Sequence, residues 1–277
     1  AMYAAKDAGR NCWRFYDPAL QEETYEKILL TNNLRRAQEN GELLLHYQPI
    51  IDAHRCIVTG FEALLRWNSP THGAVSPARF IPLAEQSGII LSIGRWVLAE
   101  TCRFARNLSV IGFSHLHIAV NISPRQLSSP DFVNMVRTTL TESGVNPSQL
   151  EIEVTEHMLI ESMDDSIATL IELRNLGLNI SLDDFGTGYS SLTYLRRLPV
   201  NPLNIDKSFI DTIVTDETQA HVIRFIIDMA HSLGLTVVAE GVETKEQLEK
   251  LSQLNCDSIQ GYVFSGPTTE MDVLLLL

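Results

Sequence analysis

The chain contains few cysteines, and none of them forms a pair at the spacing of a metal or redox site. The four cysteines are widely separated, at Cys12, Cys56, Cys102 and Cys256. A zinc cluster or a disulfide framework is therefore not expected, and a reducing compartment suits the sequence better.

Long apolar runs are also absent. No stretch approaches the roughly 18 residues that a membrane helix requires, and no signal peptide is recognisable. We therefore expect a cytoplasmic protein. Ala1 precedes Met2, which suggests a piece of a longer protein, and an upstream part of that protein could carry a membrane anchor.

Basic residues are scarce relative to acids, with 21 Lys and Arg against 34 Asp and Glu and a net charge of −13. This balance argues against binding a nucleic-acid polymer or an anionic membrane through charge alone. A phosphate-bearing ligand remains compatible, because bound metal ions would reverse the local sign of the potential. Part of the acid excess could therefore form a cation site.

Apolar strands alternate with helices about eight times, and 277 residues suit one α/β barrel better than two small domains. Continuous apolar strands are typical of a parallel sheet buried on both faces, either open and doubly wound or closed. The count and the length favour the closed barrel. The predicted strands are Leu43–Ile50, Ile57–Leu65, His115–Val120, Leu150–Val154, Leu178–Leu182, Pro202–Ile205, Leu235–Ala239 and Asp257–Ile259.

Oxygen-bearing side chains recur where these strands end. In a parallel barrel the carboxyl ends of the strands converge on one face, so we expect these side chains to meet in one pocket. Any one of them alone would be an ordinary polar loop residue. The set is Glu62, Asn121, Glu153, Asp183, Asp184, Glu240 and Gln260.

Such a pocket requires counter-charge, because five carboxylates cannot be desolvated together without it. Few histidines fall at strand ends, so the oxygen-rich set suits Mg²⁺ or Mn²⁺ better than zinc. The adjacent Asp183 and Asp184, followed by Gly-Thr-Gly, suit a two-metal site that activates water for displacement at phosphorus. The residues alone predict a two-metal phosphoesterase, with an enolase-type or aldolase-type barrel as the alternative.

Six motifs follow one another along the chain, the first at Glu62–Trp67 and the last at Gln260–Tyr262. In sequence and order they resemble the motifs of EAL domains, the bacterial cyclic di-GMP phosphodiesterases. The similarity covers about residues 25–270. Residues 1–16 resemble the end of a GGDEF domain, so we expect residues 1–20 to be a GGDEF remnant with its linker and residues 21–277 to be the EAL domain. The motifs are Glu62–Trp67, Asn121–Pro124, Glu153–Glu156, Asp183–Ser191, Ala239–Glu243 and Gln260–Tyr262.

The resemblance implies hydrolysis of cyclic di-GMP to pGpG with two Mg²⁺ or Mn²⁺ ions, in a TIM-like barrel whose first strand is antiparallel. It also implies upstream GGDEF and sensor domains and a plausible homodimer. The implied ligands of the first metal are Glu62, Asn121, Glu153 and Asp183. Asp183 would also bridge to the second metal. Asp184, and in one assignment Glu240, would hold that second metal as well.

The resemblance also implies roles for other residues. If Glu240 does not hold the second metal, it would act as the base for the attacking water, with Glu243 and Gln260 nearby in the pocket. Gln48 and Leu64 would line the nucleotide groove. Two implied roles have plainer alternatives. Arg66 would contact a phosphate or a guanine, or form a surface ion pair, and Glu156 would anchor the loop 186–191 or act as a helix-start acid.

One position departs from the family pattern. EAL domains usually carry a catalytic lysine in the sixth strand, where this chain has Asn204. Lys207 is a poor replacement, because an offset of three residues in an extended strand leads to the opposite face. Losing that charge is expected to lower turnover by roughly 10²–10³. The alternatives are a receptor that binds cyclic di-GMP without cleaving it, an interaction scaffold with an empty barrel, or an engineered substitution that traps substrate.

Overall fold

The structure is a computed structural model, and it describes residues 18–160, 163–186 and 195–277. These residues form two compact units. The smaller contains the described residues up to Leu44 together with Arg66–Ile90, and the larger contains Leu45–Leu65 and Leu91–Leu277. The predicted GGDEF remnant lies almost entirely outside the described residues. The sequence of residues 190–197 predicts a short helix, and most of this segment also lies outside the described residues.

The strands and helices alternate as the sequence predicts. The strands are β1 (Leu43–Asp52), β2 (Val58–Ser69), β3 (Gly73–Val75), β4 (His117–Asn121), β5 (Leu150–Thr155), β6 (Asn179–Phe185), β7 (Leu203–Ile205), β8 (Val237–Ala239) and β9 (Ser258–Gln260). The helices are α1 (Pro18–Ala37), α2 (Pro77–Ser87), α3 (Ile90–Val110), α4 (Pro124–Leu127), α5 (Phe132–Ser143), α6 (Glu156–Ile160), α7 (Met163–Asn175), α8 (Lys207–Ile210), α9 (Glu217–Ser232), α10 (Lys245–Gln253) and α11 (Glu270–Leu276).

The larger unit is built on a closed barrel. Its strands follow the order β1-β9-β8-β7-β6-β5-β4-β2, and β1 pairs with β2 to complete the ring. From β2 through β4 to β9 the neighbours are parallel, whereas β1 is antiparallel to β9. The predicted TIM-like barrel with an antiparallel first strand is therefore confirmed.

The barrel strands are buried on both faces, which explains their continuous apolar sequences. In β5 every residue from Leu150 to Val154 is buried, and β7 and β8 are buried throughout. Two of the surrounding helices illustrate how side chains cap helix starts. Asp216 accepts hydrogen bonds at the start of α9, and Thr244 forms a capping box with Gln247 at the start of α10. Side-chain caps thus start the helices that follow β7 and β8.

Strand β6 is irregular where the site residues lie. Its register against β7 shifts between the pairs Leu182–Leu203 and Phe185–Ile205. Asp184 lies inside this interval and has a φ of 55°, a left-handed conformation that a residue with a β-carbon rarely adopts. This is the geometry of a β-bulge, which redirects side chains that would otherwise alternate between faces.

The smaller unit has its own apolar packing. Helices α1 and α2 contact each other, and Trp67 packs edge-on against Phe80 with ring centroids 5.6 Å apart. The Trp67 indole nitrogen donates to the Glu42 carboxylate at 2.9 Å. The short strand β3 pairs with the end of β2. None of the described helices has the length and apolar content needed to cross a membrane.

Candidate functional site

The oxygen-bearing residues predicted near the strand ends lie in the barrel strands or directly after them. Each one belongs to the larger unit, and the parallel strands bring their carboxyl ends to the same rim of the barrel. Glu62 lies in β2, Asn121 ends β4, Glu153 lies in β5, Asp183 and Asp184 lie in β6, Asn204 lies in β7, Glu240 follows β8 and Gln260 ends β9.

Amide side chains link one part of this rim. The Asn121 amide donates to one oxygen of Glu62 at 2.6 Å, and the Gln260 amide donates to the other oxygen at 2.6 Å. Gln260 also reaches the side-chain oxygen of Gln48 at 3.3 Å. Four residues that are far apart in the sequence therefore form one hydrogen-bonded group around the Glu62 carboxylate.

Asn204 links a second part of the rim. Its side chain is only 2% exposed, and its amide nitrogen donates to Glu240 at 3.0 Å and to Glu153 at 3.3 Å. The position at which the resemblance leads us to expect lysine is thus occupied by a neutral donor between two carboxylates. Asn204 therefore contacts the carboxylate oxygens of Glu153 and Glu240, whose negative charge a cationic side chain at this position would neutralise.

Burial and mutual repulsion perturb these carboxyl groups. Burial, then the charges of Glu62 and Asp183, raise the pKa of Glu153 well above its ordinary value. Burial, followed by the charges of Asp183 and Glu62, also raises the pKa of Glu240 well above its ordinary value. Each group disfavours ionisation of the others, so the ionised cluster requires a cation.

The bulge in β6 brings both adjacent aspartates into this electrostatic group. Burial, followed by the charge of Asp184, raises the pKa of Asp183. The Asp183 carboxylate accepts a hydrogen bond from the backbone N–H of Asp184 at 2.8 Å. Burial and the charge of Asp206 raise the pKa of Asp184, whereas the electrostatic effect of His157 lowers it.

The donor set fits a hard divalent cation. All the converging ligand atoms are oxygens, and two buried oxygens accept no hydrogen bond: Oε2 of Glu153 and Oδ1 of Asn204. Buried acceptors without a donor are costly, and coordination would satisfy them. Among the described residues, no three His, Cys, Asp or Glu side chains already stand in a ligand arrangement.

Lys207 does not lie where the sequence argument placed it. That argument extended the strand through residue 207, but β7 ends at Ile205 and Lys207 begins helix α8. Its ammonium group forms an ion pair with Glu243. The strand-offset reason for dismissing Lys207 was therefore wrong, although Asn204, and not Lys207, donates to Glu153 and Glu240.

Asp206 is a site residue that the sequence argument did not name. It caps helix α8 by accepting from the backbone of Ser208 at 3.0 Å, and its charge raises the pKa of both Asp183 and Asp184. A signal was available, since Asp206 directly follows strand β7 as Glu240 directly follows strand β8.

The remaining predicted residues are placed as follows. Leu64 is partly exposed in β2 of the larger unit, and the Gln48 amide donates to the backbone carbonyl of Ser265 at 3.3 Å. Arg66 belongs to the smaller unit, so its contact with a ligand remains a prediction. Glu156 is buried and begins α6. Residues 187–191 of the loop it was expected to anchor lie outside the described residues, so that role also remains a prediction.

Known proteins with similar sequences carry the same domain. The EAL domain model matches residues 31–267. Bifunctional diguanylate cyclase/cyclic di-GMP phosphodiesterase MucR of Pseudomonas aeruginosa is 43% identical over 267 residues, covering 96% of this chain and 39% of that protein. Cyclic di-GMP phosphodiesterase NbdA of the same organism is 43% identical over 267 residues, covering 96% of this chain and 34% of that protein. The chain therefore spans less than two fifths of the length of these relatives.

The fold is shared with solved structures. The structure described as "PaMucR Phosphodiesterase, c-di-GMP complex" superposes with a TM-score of 0.85 at 43% sequence identity. The match covers 88% of this chain and 99% of that chain.

Proposed function

The chain belongs to the EAL domain family, and from this premise we propose that it binds cyclic di-GMP together with divalent metal ions and hydrolyses it slowly to pGpG. The observation that carries the proposal is the ring of carboxylates at one rim of the barrel, with the neutral Asn204 amide between Glu153 and Glu240. The ring supplies a metal site, whereas the amide lacks the charge that would speed the reaction.

The residues present fit a pair of Mg²⁺ or Mn²⁺ ions. Two such ions, when bound, would activate water and stabilise charge at the phosphorus. Asp183 would be shared between the ions, and Asp184 would belong to the second. The proposed ligands of the first are Glu62, Asn121, Glu153 and Asp183.

The chain's own groups would orient and bind the substrate. Glu240, held by the Asn204 amide at 3.0 Å, would accept a proton from the attacking water. Gln260 would help to position the ligand, since its amide already bridges Glu62 and Gln48. Leu64 and Arg66 would contact the nucleotide, and Glu243 would remain at the edge of the pocket.

A binding module is the second candidate, and the substitution at residue 204 favours it. In that case the site residues would hold cyclic di-GMP without cleaving it, and binding of cyclic di-GMP would be transmitted to other domains. MucR and NbdA are longer than this chain, so we propose that it works beside further domains, including a GGDEF domain upstream. A homodimer and a cytoplasmic location remain expectations of the same kind.

Binding can be tested without turnover by using Ca²⁺, which accepts the same oxygen ligands. We expect calorimetry to show cyclic di-GMP binding in Ca²⁺ to the unmodified chain. The Glu153→Gln variant, which keeps the shape but loses a carboxylate, should bind metal at least roughly tenfold more weakly. Glu249→Gln changes an exposed glutamate on α10 and is the matched control.

The outcomes separate the candidates. Binding that is lost with Glu153→Gln and kept with Glu249→Gln supports a metal-dependent ligand site. Release of pGpG in Mg²⁺ or Mn²⁺ would then identify the enzyme, and its absence would identify the binding module. If the unmodified chain does not bind cyclic di-GMP in Ca²⁺, both candidates fail and the scaffold interpretation stands.

A further inference from the structure

Lys207 lies beside the turn that carries Glu240. Helix α8 begins at Lys207, two residues after strand β7 ends at Ile205. The turn comprises residues 240–243 and follows strand β8. Because β7 and β8 are neighbours in the barrel, the start of α8 and this turn face each other at the rim.

The aliphatic stem of Lys207 packs directly on the backbone of Gly241. A β-carbon at position 241 would lie 2.3 Å from Cγ, 2.6 Å from Cβ and 2.7 Å from Cδ of Lys207. Gly241 also has a φ of 68°, which disfavours any other residue. The turn is therefore shaped to receive this stem, and the stem covers the peptide that follows Glu240.

The end of the Lys207 side chain continues along the same turn. Its ammonium group pairs with Glu243 and lies 4.0 Å from Asp211. The side chains of Lys207 and Glu243 are 47% and 45% exposed, and ion pairs at this exposure contribute little to stability. The apolar contact with Gly241 is thus the larger part of the interaction.

Backbone hydrogen bonds tie the turn to its neighbours at other points. The Glu240 N–H donates to Ile205 at 3.0 Å, and the Val242 N–H donates to Gln260 at 3.0 Å. The Glu243 N–H donates to the side chain of Gln247 at 2.8 Å. These bonds hold the turn from the barrel side, and Lys207 covers it from the α8 side.

We propose that Lys207 is a positioning residue, whose stem holds the turn 240–243 so that the Glu240 carboxylate stays within reach of Asn204. The inference rests on the proposed function for its effect on catalysis, because Glu240 acts on the attacking water there. The ordering of the turn itself does not depend on that function.

Two variants separate the stem from the charge. Lys207→Ala removes both, whereas Lys207→Met keeps most of the stem and removes the ammonium group. Hydrogen–deuterium exchange of residues 241–243 in the full chain reports the ordering of the turn. We expect Lys207→Ala to speed this exchange about tenfold and Lys207→Met to restore slow exchange. Lys245→Ala, an exposed lysine on α10, is the control.

Kinetics provide the second measurement, made in the unmodified and Asn204→Lys backgrounds. Lys207→Ala should lower kcat for pGpG release roughly tenfold, as expected when a reacting group is misplaced by a fraction of an ångström. The Kd for cyclic di-GMP in Ca²⁺ should not change, because the contacts to the ligand remain. Lys207→Met should recover most of the lost kcat.

Each result decides the question. Fast exchange in Lys207→Met would assign the effect to the ion pair and overturn the role of the stem. Unchanged exchange in Lys207→Ala would overturn the inference entirely. If the exchange results follow expectation but neither background releases pGpG, the proposed hydrolysis is wrong while the ordering of the turn by Lys207 stands.

Discussion

Replacing Asn204 with lysine tests the account of the site most directly. Asn204 is 2% exposed and donates from one nitrogen to Glu153 at 3.3 Å and Glu240 at 3.0 Å. In the Asn204→Lys variant an ammonium group would take over both contacts. It would lower the pKa of both carboxyl groups, because an opposite charge favours their ionised forms.

The size of the effect follows from these short contacts. At about 4 Å and an effective dielectric constant near 20, each pair of unit charges attracts by roughly 4 kcal/mol. Desolvation of the buried ammonium group offsets much of that gain. In other enzymes, removal of one donor that stabilises developing charge costs about 2.7–4 kcal/mol of transition-state stabilisation. Because Asn204→Lys would add such a donor, we expect it to raise turnover by roughly 10²–10³.

The assay follows pGpG release from cyclic di-GMP by chromatography, in Mg²⁺ and in Mn²⁺. Asn204→Met is the matched control, because it has nearly the length of lysine without the charge or a donor. We expect it to release pGpG no faster than the unmodified chain. Equal rates for Asn204→Lys and the unmodified chain would refute the reasoning, since the charge at this position would then have no effect.

Two further predictions concern the accessibility of the thiols and the close approach of two backbone segments. The described cysteines are Cys56, Cys102 and Cys256. Burial raises the pKa of the Cys102 thiol to about 11, so in a Cys12→Ser variant we expect a thiol reagent to label the exposed Cys56 first, and rapid labelling of a second thiol would contradict the burial. A β-carbon at Gly261 would lie 2.1 Å from a backbone carbonyl oxygen, whereas one at Gly73 would meet no atom within 4 Å. Chemical denaturation should therefore show a larger loss of stability for Gly261→Ala than for Gly73→Ala, whose cost is about 1 kcal/mol of backbone strain; equal losses would contradict the close approach.

Periodicity was sufficient to predict the barrel. Continuous apolar strands separated by helical segments determine a buried parallel sheet, and each predicted strand overlaps one that the structure contains. Local detail was harder to predict. The short helix α4 that precedes α5 was not predicted from the sequence. Strand β3 and helix α8 were not predicted from the sequence.

The sequence predicted which residues belong to the site, but it did not predict which of them contact each other. Strand-end position identified Glu62, Glu153 and Glu240, because parallel strands bring their carboxyl ends to one rim. The same reasoning passed over Asp206, which follows β7 directly. It also placed Lys207 on an extended strand, whereas the strand ends earlier and the lysine turns toward Glu243. Chain direction after a strand end depends on capping and packing, which spacing alone does not show.

The order of motifs along the chain determined the family, the barrel and the oxygen-rich character of the site, because these depend on residue type and period. The tertiary structure decided which oxygens face which donors. The bulge at Asp184, with its φ of 55°, turns two neighbouring carboxylates into one electrostatic group, and the Asn204 amide spans Glu153 and Glu240 across three strands. Such contacts join residues far apart in sequence, so only the closed barrel specifies them.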